Sequence, residues 1–312
     1  MKTIELTYPH IPEKETLPET VAAIGFFDGI HKGHQKVIKT AVDEAKECGM
    51  ESAVFTFHPH PSVVFDQNVT HVAYITPLFE KKQILEELQV DRLYIITFDD
   101  ALASLAPQAF IDHFIIGLNI KHLVAGFDFT YGPKDIANMS TIGKHSRGLF
   151  TYTMIEKIVW NDKKVSSTAI RSCLKEGNIE RTNVLLGRPF ITSGKVKNGA
   201  SRGHELGFPT ANIDVEPDAL LPKPGIYAVK VNHQGKMFNG MASLGTNPTF
   251  TPHAHELSLE VNILDFKENI YGAFLTVEWY QFIREEIEFA DINELIKQME
   301  NDEIRIRSYF GK

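Results

Sequence analysis

GFFDGIHKGH, residues Gly25 to His34, begins inside an apolar run, Val21 to Phe27, and leads into a helix-spaced set, Val37, Ile38, Ala41, Val42 and Ala45. A buried strand, a glycine turn and then an amphipathic helix are the repeating unit of a parallel sheet covered by helices. Gly49 stands where that helix needs a C-terminal cap. Further apolar runs at Ala53 to Phe57, Leu93 to Phe98, Leu123 to Phe127 and Phe150 to Ile155 have the length and β-branched or aromatic content of buried strands. Thr76 and Pro77 form an N-cap and first-turn pair for a helix through Leu88. The alternation predicts an α/β, doubly wound parallel sheet, with ligands at the carboxyl ends of its strands.

The pattern changes after Leu186. Short alternating segments at Ile226 to Val231, Met237 to Leu244, Leu257 to Leu264 and Phe274 to Tyr280, broken by Gly, Pro and Asn, predict a small antiparallel barrel or sandwich. A C-terminal helix follows from Asp291, its cap, with Glu294 three residues on and Ile292, Leu295, Ile296 and Met299 as its apolar face. The 312 residues thus divide into two domains, 1–186 and 187–312, with the junction at GRPF, Gly187 to Phe190.

Composition narrows the function classes. The chain is 43% hydrophobic and 23% charged, as in ordinary globular proteins. No run approaches the roughly 18 apolar residues of a membrane span, and the N-terminus lacks a signal-peptide core. A cytoplasmic protein without a membrane partner is expected. A net charge of −8 argues against a nucleic-acid binder. Cys48 and Cys173, far apart and outside any CxxC, read as free thiols.

The turn at Gly25 to His34 places free N–H groups and a positive dipole end at a helix start, where anions are favoured. His31 and His34, three residues apart, can donate hydrogen bonds to one phosphate chain and stabilise charge developing at phosphorus. Taken alone, the HxGH string also fits a structural turn or a metal pair. A second segment, VSSTAIR at Val165 to Arg171, offers Ser166, Ser167, Thr168 and Arg171 at another helix start; a simple helix cap is the alternative. In the second half, GKVKNGASRGHELGFPTAN, Gly194 to Asn212, combines Gly194, Gly199, Gly203 and Gly207 with Lys195, Lys197 and Arg202. The glycines allow close approach of backbone to ligand and the cations suit phosphate, though the string is not a P-loop and strand turns would also use it. Thr210 and Asn212 of PTAN can offer two oxygens to a hard cation such as magnesium, or simply form a turn.

In order and spacing, GFFDGIHKGH, TFHPHP (Thr56 to Pro61), GFDFTYG (Gly126 to Gly132) and VSSTAIR resemble the FMN adenylyltransferase half of bacterial bifunctional riboflavin kinase/FAD synthetases. The string Gly194 to Asn212, with GTNPTF (Gly245 to Phe250) and LEVNILDF (Leu259 to Phe266), resembles the riboflavin kinase half. The resemblance covers nearly the whole chain. It implies a nucleotidyltransferase domain followed by a β-barrel kinase domain, which make FMN from riboflavin and FAD from FMN with Mg2+ and ATP. It implies that His31 and His34 bind ATP phosphates and support adenylyl transfer, beside Gly25, Phe26, Asp128, Ser166, Ser167, Thr168 and Arg171. It implies ATP binding by Gly194, Lys195, Gly203, Thr210 and Asn212, magnesium on Thr210 and Asn212, and Glu260 as general base. Phe57, Phe127 and Tyr131 are candidate flavin stackers, with core packing as the alternative for each. The chain departs from the family at Phe26, where many relatives carry Asn, and at PKDIANMS after Gly132. An enzyme with one efficient activity, or a flavin-binding regulatory protein, is the alternative function. Flavins and ATP are the expected partners, with the chain a monomer or weak homo-oligomer.

Overall fold

The computed structural model describes residues 1–66, 68–198, 207–246 and 257–311. The chain forms two compact units, one of Met1–Tyr74 with Lys81–Ser166, the other of Ile75–Glu80 with Ser167–Lys312.

The first unit is built on six parallel strands, β1 (Lys2–Leu6), β2 (Thr20–Ile24), β3 (Glu51–His58), β4 (Arg92–Thr97), β5 (Ile120–Gly126) and β6 (Thr151–Ile155), in the order β1-β4-β3-β2-β5-β6. The five runs foreseen from sequence are β2 to β6. The edge strand β1 was not foreseen, because KTIEL buries only Leu6 fully and its polar positions mask the pattern. Every residue of β2 is buried, as a central parallel strand requires. Ile24, Phe55, Tyr94, Ile96, Phe114 and Leu123 form part of a continuous core.

The chain winds from β2 through β3 to β4 on one side, then crosses to lay β5 on the other side of β2. The loops after β2 and β5 therefore diverge from adjacent strand ends, and the crevice between such loops is where α/β sheets bind ligands. GFFDGIHKGH is the first of these loops and GFDFTYG the second.

The helix after β2 spans Lys32–Cys48, buries Val37, Ile38, Ala41, Val42 and Ala45, and ends at Gly49 with φ of 66°. The helix foreseen from Thr76 and Pro77 spans Leu78–Glu87. A small hairpin, β7 (Val159–Trp160) and β8 (Lys163–Lys164), turns on Asn161 and Asp162 at φ of 47° and 58°, the backbone of a tight two-residue hairpin loop.

The second unit opens with helices Ser167–Glu176 and Ile179–Leu186, the latter ended by Gly187 at φ of 75°. Six antiparallel strands then close a barrel: β9 (Phe190–Lys197), β10 (Thr210–Val215), β11 (Gly225–His233), β12 (Lys236–Gly245), β13 (Ser258–Ile263) and β14 (Phe274–Arg284), in the order β10-β13-β12-β11-β14-β9. Pairing of β9 with β10 completes the ring, so the barrel, rather than the sandwich, is realised. Inside it Trp279 is fully buried and donates to Thr192 Oγ1 at 3.0 Å.

The C-terminal helix spans Ile292–Tyr309, with Asp291 accepting from the Asn293 N–H. Ile292, expected on its apolar face, is 52% exposed. Ile296 and Met299 of that face do pack against the core, and the fully buried positions lie further along, at Ile306 and at Asp302, which pairs with Arg284 at 2.7 Å.

Candidate active sites

After Ile24 the backbone turns sharply, with Phe27, Gly29 and Ile30 at φ of 54°, 89° and 38°. Non-glycine residues there cost about 1–3 kcal/mol each. Burial of the Phe27 and Ile30 side chains, 3% and 0% exposed, offsets this by a similar amount, about 1.5–3 kcal/mol each. The strained turn is therefore held from within the core.

His31 caps the next helix, its Nδ1 accepting from the His34 N–H at 3.2 Å. That bond leaves the neutral ring's proton on Nε2. The His34 ring stacks on it with centroids 3.6 Å apart and planes 19° apart. Gly33 lies close against the first ring: a Cβ there would sit 3.0 Å from His31 Cε1 and press on it. Burial lowers the His31 pKa to about 4; positive Lys164 lowers it further, while Asp128 opposes. Burial first, then His31, Lys81 and Lys164, holds His34 well below the ordinary histidine value. Both rings are neutral donors at neutral pH.

Asp128, just beyond β5, pairs with Lys164 at 2.6 Å. Lys164 also lies 4.7 Å from the Phe127 ring centroid. A cavity of about 410 Å³ opens between the two loops, and Gly25, Phe26, His34, Phe57, Asp128 and Tyr131 line it. One crevice thus gathers candidates for both nucleotide and flavin. Phe127 is not in its lining; it is 39% exposed beneath Lys164. Phe98 and Phe129 also line the cavity, and sequence reasoning passed over both, since their pattern is that of ordinary strand-end core residues. The Tyr131 hydroxyl shares a 2.6 Å hydrogen bond with His145 Nδ1. The segment PKDIANMS folds on itself: Asn138 Oδ1 accepts from the Ser140 N–H and hydroxyl, and Ala137 and Met139 are buried. Ser166 ends the first unit, while Ser167, Thr168 and Arg171 lie in the helix that opens the second.

In the barrel, β10 and β13 pair Asn212 with Glu260 and Thr210 with Asn262. Directly opposed residues share a face, so Thr210, Asn212 and Glu260 come together. Thr210 Oγ1 donates to Glu260 Oε2 at 3.1 Å. Leu259 and Val261, on the opposite face, are 2% and 0% exposed. A second cavity of about 430 Å³ is lined by Thr210, Ala211, Val261, Phe266, Ile270 and Tyr271. Thr210 lines this cavity, whereas Asn212 and Glu260 do not; grouped on one face, the three oxygen-bearing side chains suit a hard divalent cation. Lys195 is exposed on β9, opposite Asp214. Gly203 lies outside the described residues, as do Gly199, Arg202 and Asn247 to Phe250.

Gly194 has a packing duty. It sits where β9 runs between β10 and β14, and a Cβ there would collide with the Asp214 carbonyl oxygen and lie 2.7 Å from Ile213 Cγ2. Backbone cannot yield as a side chain can, so Gly194→Ala is expected to destabilise the barrel by about 1–3 kcal/mol. Urea unfolding followed by tryptophan fluorescence in a Trp160→Phe background, where Trp279 alone reports, measures this.

Comparison with known proteins gives two family matches: FAD synthetase over residues 13–169 and riboflavin kinase over residues 186–310. A bifunctional riboflavin kinase/FMN adenylyltransferase of Bacillus subtilis is 45% identical over 312 residues, covering 100% of this chain and 99% of its own. The protein of the same description from Listeria monocytogenes matches at the same identity and coverage. A solved structure from Streptococcus pneumoniae, described as a macrolide-efflux protein, is 32% identical with a TM-score of 0.86, over 98% of this chain and 99% of that one. Among the described residues of this chain no helix is long and apolar enough to cross a membrane.

Proposed function

This chain belongs to the bifunctional riboflavin kinase/FMN adenylyltransferase family, and from that membership we propose which of its residues carry each reaction. The kinase reaction converts riboflavin and ATP to FMN and ADP. The adenylyltransferase reaction converts FMN and a second ATP to FAD and pyrophosphate. The boundary between the two catalytic halves falls at 186/187.

Adenylylation takes place in the crevice between the loops after β2 and β5. There an FMN phosphate oxygen attacks the α-phosphorus of ATP, and the bond from that phosphorus to the bridging oxygen breaks. Negative charge grows on the departing pyrophosphate and the equatorial oxygens. His31, with its proton on Nε2, and His34 stacked on it donate hydrogen bonds to that charge. The aromatic lining, Phe26, Phe57 and Tyr131 included, covers the flavin ring. Gly25 and Asp128 bound the nucleotide end of the crevice, and Ser166, Ser167, Thr168 and Arg171 are assigned to ATP binding. The observation that carries this reading is a stacked, neutral histidine pair at the switch point of the sheet, with His34 lining a cavity of about 410 Å³.

Phosphorylation takes place on the barrel. Glu260 accepts the proton of the ribityl hydroxyl as its oxygen attacks the γ-phosphorus and ADP leaves. Thr210 and Asn212 hold Mg2+, which supplies charge neutralisation on the phosphates; Thr210 also orients Glu260 through their hydrogen bond. Lys195 and Gly203 are assigned to ATP binding. The reading includes a cytoplasmic setting, where ATP is plentiful, and a monomer or weak homo-oligomer.

Incubation of the purified protein with riboflavin, ATP and Mg2+ is expected to yield FMN first and FAD after it, resolved by chromatography. FMN that never proceeds to FAD, with flavin oxidised or reduced, would reduce the reading to one efficient activity. Flavin binding with neither product would leave a flavin-binding protein.

A further inference from the structure

The motif TFHPHP contains a residue, Thr56, that the reactions above leave without a role. It is fully buried in β3, and its hydroxyl donates to the Phe26 carbonyl oxygen at 2.8 Å. The same oxygen accepts a second bond, 2.9 Å, from Nζ of Lys81. Lys81 Nζ also donates to Thr56 Oγ1 at 3.0 Å. Strand, helix and nucleotide loop are thereby joined by a closed triangle of hydrogen bonds around one carbonyl.

Lys81 is 4% exposed, and its ammonium lies 4.9 Å from the centroid of the Phe26 ring. Burial lowers its pKa to about 8, against the attraction of Asp28. Burying an ammonium costs several kcal/mol before compensation, and an apolar side chain would fill the space without that cost. The hydrogen bonds to Phe26 and Thr56 are what a methionine of similar length could not make.

The Phe26–Phe27 peptide is not among the cis bonds, so its N–H points opposite to its carbonyl. With the carbonyl drawn toward Lys81 and Thr56, the Phe27 N–H is turned away from them. A flip of this peptide would rotate φ of Phe27 by about 180°, from 54° to a negative value of the kind L residues ordinarily adopt. The positive φ of Phe27 thus favours the flip, and the two hydrogen bonds on the carbonyl oppose it. A flipped peptide would replace an N–H donor in the loop by a carbonyl oxygen, which repels phosphate.

We propose that Lys81 and Thr56 are a pair of positioning residues that hold the Phe26–Phe27 peptide with its N–H, not its carbonyl, presented to the phosphates of ATP. This rests on the assignment of adenylylation to the loop after β2. The two side chains grip one oxygen, so they act as a unit.

The test compares Lys81→Met, Thr56→Val, Thr56→Ser and the Lys81→Met/Thr56→Val double variant in the full chain. Lys81→Met and Thr56→Val are each expected to lower kcat/KM for ATP in FMN adenylylation by about tenfold or more. The double variant should be little worse than the poorer single one. Thr56→Ser, which keeps the hydroxyl, should retain the rate of the unaltered protein, and riboflavin phosphorylation should stay within about twofold in all four. Unchanged adenylylation in Lys81→Met, equal loss of both reactions, independent multiplying losses, or a Thr56→Ser as poor as Thr56→Val would each overturn the clamp. A His31→Ala/His34→Ala protein is run alongside: FAD formation surviving in it would mean that the site assignment itself has failed, whereas its loss beside a fully active Lys81→Met overturns the clamp alone.

Discussion

Replacing both His31 and His34 with alanine is expected to lower FAD formation by about a thousandfold or more while FMN formation proceeds at its normal rate. Removing a single preorganised donor from a transition state costs about 10²–10³ in kcat, and the two rings here are stacked as one unit. Their losses should therefore not multiply. His31 also caps its helix through Nδ1, so alanine there removes about 0.5–2 kcal/mol of helix stability in addition. His31→Asn separates the two effects, because asparagine caps the helix but brings no imidazole. The Asn variant should unfold near the temperature of the unaltered protein and still fail to make FAD from supplied FMN. Were it to adenylylate at the normal rate, the cap would be the histidine's contribution and the donor role would be lost.

The second large effect belongs to Glu260. Glu260→Gln is expected to depress riboflavin phosphorylation by about 10²–10⁴, the usual contribution of a positioned general base, and to spare adenylylation of supplied FMN. The amide oxygen of glutamine can still accept from the Thr210 hydroxyl, which now donates to Glu260 at 3.1 Å. The pairing of β10 with β13 is then undisturbed, and the loss isolates proton acceptance. A Glu260→Gln protein that phosphorylates riboflavin within about tenfold of normal would remove this carboxylate from the base role.

The sheet was legible because buried parallel strands advertise themselves: all of β2 is apolar apart from Thr20. The same rule hid β1, whose edge position lets Lys2, Thr3 and Glu5 face outward. In the barrel, β9 and β10 were obscured because the glycines and cations of the segment Gly194 to Asn212 read as a phosphate loop. Gly194 turns out to mark a close crossing of strands. The histidine pair was readable from four residues, since a helix start brings i and i+3 together.

Its surroundings were not readable in that way. Lys81 is 55 positions from Phe26 along the chain, in a helix whose sequence gives no hint that one lysine points inward. Lys164 reaches Asp128 only because Asn161 and Asp162 turn β7 back into β8. Such partners are products of tertiary folding, and spacing along the chain carries no trace of them. Of the candidate flavin stackers, Phe57 and Tyr131 line the crevice whereas Phe127 carries the Lys164 ammonium on its exposed ring. Strand alternation alone cannot separate these fates at a strand end, where the chain leaves the sheet.

The helix that begins at His31 ends at Cys48, an exposed thiol, whereas Cys173 is buried. At 1.5 Å of rise per residue, the helix holds that sulfur about 21–25 Å along its axis from the histidine pair. A maleimide dye should thus attach at one place, far enough from the reacting phosphates to leave them alone. The protein carries its own handle for fluorescence or surface tethering, and no engineered cysteine is needed to watch it bind nucleotide.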